Sequence, residues 1–117
     1  MADVVVLVDD LFFQAKLVET ARRVGVELKA VTTGDAFLAE AEQGSAALLI
    51  VDLNARHGAL EALQRLKAAG NLRPVVAFLS HVQTELAEQA RAAGCQQVMP
   101  RSKFTQNLAA ILSQAKS

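Results

Sequence analysis

The chain has 117 residues, the size of one domain, and its 52% apolar content is enough for a packed core. Twelve basic and twelve acidic residues balance to zero, which argues against a general nucleic-acid binder. A single cysteine, Cys95, excludes an internal disulfide, and with no Trp or Tyr there are no such rings to stack bases on. No apolar run reaches the roughly 18 residues of a membrane span, and no basic-then-apolar leader opens the chain. We therefore expect a single cytoplasmic domain over residues 1–117 that binds neither membrane nor nucleic acid.

Short apolar runs alternate with helical stripes. Val4-Val5-Val6-Leu7-Val8 reads as a strand covered on both faces. Phe13, Leu17, Ala21 and Val24 then recur at helical spacing, with Gly25 as a stop. Leu28–Val31 is a weaker second strand. A helix over about Asp35 to Glu42 follows, with Phe37, Leu38 and Ala41 inward and Gly44 as its end. Ala47–Val51 is the third strand, and Leu60, Leu63 and Leu66 mark a helix ending near Gly70. Val75–Leu79 is the fourth strand, after Pro74. Leu86, Ala90 and Ala93 stripe the fourth helix, before Gly94. Gln97-Val98-Met99 is a short fifth strand nearer an edge. Ser102 is expected to cap one last helix striped by Phe104, Leu108, Ile111 and Leu112.

The result is (βα)5, an α/β chain. Strand–helix alternation requires parallel strands with right-handed crossovers, and five units are too few for an eight-stranded barrel. An open, doubly wound sheet of order 2-1-3-4-5 remains. In such sheets ligands bind beyond the carboxyl ends of the strands at the topological switch point.

Asp9 and Asp10 follow strand one, Asp52 follows strand three, Ser80 and His81 follow strand four, and Pro100, Arg101 and Ser102 follow strand five. Three carboxylates should then converge with a hydroxyl and a guanidinium. Their mutual repulsion needs protons or a cation to offset it, and a hard divalent ion such as Mg2+ suits oxygen ligands. Asp52 could accept a phosphoryl group as a carboxylate nucleophile, with Ser80 and Arg101 on its oxygens. Alternatively, Asp9 and Asp10 simply cap the first helix. The charge is uneven: residues 1–58 carry 9 acidic and 5 basic residues (−4), and residues 59–117 carry 3 and 7 (+4). We read this as an acidic pocket in the first half and a more basic surface in the second, although helix faces can also differ this way by chance.

Across essentially its whole length the chain resembles the response-regulator receiver domains of two-component signalling. The residues that carry the resemblance are Val8-Asp9-Asp10, Leu49-Ile50-Val51-Asp52-Leu53-Asn54, Phe78-Leu79-Ser80 and Gly94-Cys95-Gln96-Gln97-Val98-Met99. The resemblance implies that Asp52 is the phosphoacceptor and that Asp9 and Asp10 hold Mg2+. It implies that the Asn54 backbone carbonyl is a further metal ligand and that Ser80 is the hydroxyl reporting phosphorylation. It implies a histidine kinase or phosphotransfer protein as donor. It also implies an output face on helix four, strand five and helix five, here including Arg91, Val98 and Lys103. No catalytic turnover is implied, so an enzyme is not expected.

The departures from the family's pattern gather at the site. Arg101 stands where the family has a lysine, and Ser102 stands where a proline follows it. Arg101 could pair with phosphate or lock onto Asp52 in a permanent bridge. Lys103 could replace it only in a reshaped loop, and Pro100 lies two residues too early to stand for the family's proline. Val98 replaces the switching aromatic. His81 replaces a small residue and could shield a phosphoryl group or sit as a half-exposed loop histidine. The loop after Asp52 lacks the usual Pro and Asp-Gly, and its Arg56 and His57 read as solvent-facing. Phe12 is read by default as a partly buried packing residue, with exposure at the pocket mouth as the other reading. Cys95 reads as a small packed residue and Arg22-Arg23 as a solvated helix end. These features keep open a phosphorylation-independent interaction module with a degenerate site. A flavin or nucleotide protein on this topology has little support, because no Gly-rich loop follows strand one.

Overall fold

The structure, a computed structural model, describes residues 2–55, 58–80 and 83–116. The β-branched run near the N-terminus forms β1 (Val4–Leu7), and all four residues are buried. The elements that follow are α1 (Leu11–Val24), β2 (Leu28–Val31), α2 (Gly34–Gln43), β3 (Leu48–Asp52), α3 (Ala59–Ala68), β4 (Val75–Leu79), α4 (Thr84–Ala92), β5 (Gln97–Pro100), α5 (Arg101–Gln106) and α6 (Leu108–Ser113). The five strands form one sheet in the order β2-β1-β3-β4-β5, and every pairing is parallel. This is the expected doubly wound topology.

Side-chain alternation divides the core in two. Val5, Leu7, Leu49, Val51, Ala77 and Leu79 point to the face covered by α2, α3 and α4. Val4, Val6, Leu48, Ile50, Val76 and Phe78 point to the face covered by α1, α5 and α6. On the second face Phe78 and Phe104 stack at 4.4 Å between centroids. Phe13 meets Phe78 edge-on at 5.2 Å. This aromatic cluster lies directly beneath the carboxyl ends of β1 and β4.

Helix ends follow their local chemistry. Gly25 closes α1 in the left-handed conformation at φ 80°. Thr33 caps α2 through its hydroxyl. Gly44 ends α2 for a different reason: a Cβ there would lie 2.7 Å from the Glu40 carbonyl oxygen. The Arg73 guanidinium, arriving from the loop before β4, donates to the carbonyls of Ala41 and Gly44 and completes that end.

The C-terminal helix departs from expectation. Ser102 does not cap it; the helix begins at Arg101 after Pro100, no side chain caps it, and Ser102 is exposed within its first turn. The expected single helix is also interrupted at Asn107. The Asn107 side chain donates to the Lys103 carbonyl at 2.9 Å, and its backbone N–H is shared between Lys103 and Phe104. An Asn amide competing for backbone carbonyls in this way explains the break. Asp52 also differs slightly, being the last residue of β3 rather than the first after it.

Candidate functional site

The site is built where β1, β3, β4 and β5 end. Asp10 is the N-cap of α1: its Oδ1 accepts from the backbone N–H groups of Phe12 and Phe13 at 3.0 and 3.1 Å. Its Oδ2 accepts from Nη2 of Arg101 at 2.9 Å. The Arg101 guanidinium carbon also lies 4.0 Å from the centroid of the Phe13 ring. The Arg101 hydrogen bond, followed by that from Phe13, holds the Asp10 carboxyl below its ordinary value.

Asp52 is only 6% exposed. Its Oδ1 accepts from the Asn54 N–H at 2.9 Å. Burial pushes its carboxyl above the ordinary range. The Asn54 N–H and the Arg101 charge oppose that shift, while the charges of Asp9 and Asp10 add to it. One strand over, Ser80 donates to Oδ1 of Asn54 through both its backbone N–H (2.6 Å) and its hydroxyl (2.9 Å). The Asn54 amide then donates to Oε1 of Gln83, at the start of α4, at 2.9 Å. The Asn54 side chain thus links the end of β3 to the end of β4 and the entry of α4.

The structure brings Asp10, Asp52, Asn54, Ser80 and Arg101 to one end of the sheet, with Asp9 close enough for its charge to act on Asp52. The carboxylates themselves stand near one another, with the charges of Asp9 and Asp10 acting on Asp52, although among the described residues no three His, Cys, Asp or Glu side chains are placed to share one ion. Both Asp10 oxygens are engaged, one by the first turn of α1 and the other by Arg101. Two readings need correction. Arg101 does not bridge to Asp52; its hydrogen-bonded partner is Asp10, and Asp52 feels its charge through space. Phe12 is not a packing residue. It is 92% exposed beside Leu11 at 71%, because Phe13, one position on, takes the inward direction.

A hard divalent ion takes one or two carboxylates with waters and carbonyls. Asp9, Asp52 and the Asn54 carbonyl are donors of the right type for such an ion. Sequence reasoning did not find the Phe13 platform or the role of Gln83. Phe13 read as one more inward position of a stripe, and nothing local distinguished Gln83.

Elsewhere, a groove of about 190 Å3 runs between α4 and β5, lined by Leu79, Ala87, Arg91, Val98 and Met99 among others. Val98 is half-buried against the core and Lys103 is exposed on α5. Cys95 is buried, as expected, and burial pushes its thiol up to about 11. Arg22 and Arg23 are exposed at the end of α1. The readings of Arg56, His57 and His81 lie outside the described residues. Among those residues no helix is long and apolar enough to cross a membrane.

Solved receiver domains share this fold. A CheY-like response-regulator receiver from Methanospirillum hungatei JF-1 superposes with a TM-score of 0.80 at 14% identity, over 97% of this chain and 94% of that one. The beryllofluoride-activated DrrB receiver domain gives 0.79 at 17% identity, over 98% and 97%. The FixJ N-terminal domain gives 0.79 at 20% identity, over 95% and 92%. No protein-family model and no curated protein sequence matches the chain. The architecture is therefore the response-regulator receiver fold, reached by a sequence far from these structures.

Proposed function

We propose that the chain is a response-regulator receiver of a two-component phosphorelay, which accepts a phosphoryl group on Asp52 from a histidine kinase or phosphotransfer protein. The observation that carries this reading is the setting of Asp52. It is a nearly buried carboxylate at the switch point of the sheet, one strand from a hydroxyl positioned by Asn54. An Asp52 oxygen attacks the phosphorus of a phosphohistidine. The P–N bond breaks, the imidazole leaves with the electron pair and takes a proton from solvent, and an acyl phosphate remains. The attack needs Asp52 ionised, so burial trades some nucleophile at low pH for exclusion of water. The Ser80 hydroxyl and the Arg101 guanidinium supply donors toward the transferred oxygens. Asp9, Asp52 and the Asn54 carbonyl would hold Mg2+, whose bound charge supplies neutralisation of the phosphoryl group.

In this reading the protein is a phosphoacceptor and not an enzyme, and it works in the cytoplasm. Its signal is a protein contact, with the α4–β5 groove and α5 as the output face. Leu11 and Phe12 form an apolar contact at the pocket mouth for the donor protein. The test is incubation with acetyl phosphate and Mg2+, read by intact mass. One phosphoryl group on the wild-type chain and none on Asp52→Asn is expected. Equal labelling of both chains, or none on the wild type, overturns the reading. The Arg101–Asp10 pair favours a second reading, a phosphorylation-independent interaction module. That module would show neither labelling nor any amide shift with beryllofluoride.

A further inference from the structure

Arg101 and Asp10 face each other from rigid elements. Asp10 is fixed at the head of α1 by two backbone donors, and Arg101 is the first residue of α5. The ring under the guanidinium is equally fixed. Phe13 is 8% exposed and packs against Phe78 and Phe104. A flat guanidinium can lie on a ring and still aim an N–H at a carboxylate in its own plane, whereas an ammonium offers only a point charge. A metal approaching Asp10 would meet Oδ1, which already accepts from two backbone N–H groups, or Oδ2, which already accepts from Arg101.

We infer that Arg101 is the resident counter-ion of the acidic pocket and competes with divalent cations for Asp10, so that this residue sets the metal affinity of the site. The inference rests on the proposed reading of this pocket as a divalent site but not on phosphorylation of Asp52. With Arg101 in place the pocket carries its own positive charge. A cation entering beside Asp9 and Asp52 meets that charge at close range and finds Asp10 already engaged. Removing the guanidinium frees one carboxylate oxygen and removes the repulsion together.

The experiment is titration of 15N-labelled wild type, Arg101→Ala and Arg101→Lys with MgCl2. It follows the amide signals of residues 9–13 and 52–55, and the Nε–H signal of Arg101 in the wild type. Arg101→Ala should bind Mg2+ about tenfold more tightly than wild type, with Arg101→Lys between them. The wild-type Arg101 signal should move in step with metal occupancy. Equal affinities for wild type and Arg101→Ala overturn the inference, as does an Arg101 signal that stays fixed while the wild type fills. Absence of Mg2+ binding by every variant overturns it too. The guanidinium readout needs no variant, so an unfolded Arg101→Ala does not remove the test. A chain that binds metal in this graded way yet never takes a phosphoryl group upholds the inference while removing Asp52 as phosphoacceptor.

Discussion

Ser80 donates twice to a single oxygen of Asn54, through its backbone N–H and its hydroxyl. The hydroxyl at the end of β4 is thus held by a side chain from the loop after β3. A phosphoryl oxygen on Asp52 would be a stronger acceptor, being charged where an amide oxygen is not.

Asn54→Ala removes that anchor and its contact with Gln83 together. Ser80 is exposed, so water can replace the lost acceptor. We expect a loss of only about 1 kcal/mol in urea denaturation. Amide exchange at Ser80 should accelerate more than exchange at buried Phe78, and an unchanged Ser80 rate would show that the amide is held by something else.

Asp52→Asn should stabilise the protein at neutral pH by about 1 kcal/mol, because it removes a buried charge and keeps an oxygen for the Asn54 N–H. The pH dependence follows from the raised carboxyl. Between its unfolded and folded values the native state holds the proton more tightly, so wild-type stability falls as pH rises through that window. The advantage of the variant should therefore be full above the folded value and vanish below the unfolded one. Urea midpoints of both proteins across acid to neutral pH measure it. A constant difference would mean that ionisation of Asp52 is not the cause.

Arg73→Ala should cost about 1–2 kcal/mol, since the carbonyls of Ala41 and Gly44 lose their guanidinium partner at the end of α2. Arg73→Lys should recover only part of this, because one ammonium cannot reproduce the planar fork that reaches both oxygens. Thermal melts rank the three proteins, and equal melting of Arg73→Lys and the wild type would refute the two-carbonyl geometry.

Phe104→Ala should cost about 3–5 kcal/mol and Phe104→Leu clearly less, because the ring is fully buried against Phe78. Phe104 also supports the Phe13 platform, at 6.1 Å between ring centroids. The leucine variant should therefore disturb the Arg101 Nε–H signal even where it melts near wild type.

The strands were legible because β1, β3 and β4 are buried on both faces and so read as unbroken apolar runs. Strand order followed from topology alone. At the site, placement after strands was legible, since every candidate except His81 could be located at an end of the sheet. Pairing was not. Whether Arg101 meets Asp10 or Asp52 depends on a few ångströms and on a ring supplied by α1, which no local pattern records. The break at Asn107 escaped for the opposite reason. Phe104, Leu108, Ile111 and Leu112 keep helical spacing across it, so the stripe is blind to one competing amide.

Cys95 gives the chain a built-in clock. A lone thiol, buried behind α4 and held protonated at neutral pH, does not react with an alkylating reagent while the fold is closed. The rate of its modification then counts how often the edge of the sheet at β5 comes open. Any ligand or partner that seals the α4–β5 side would slow that clock, and one that loosens it would run it faster, with a single labelled site to read.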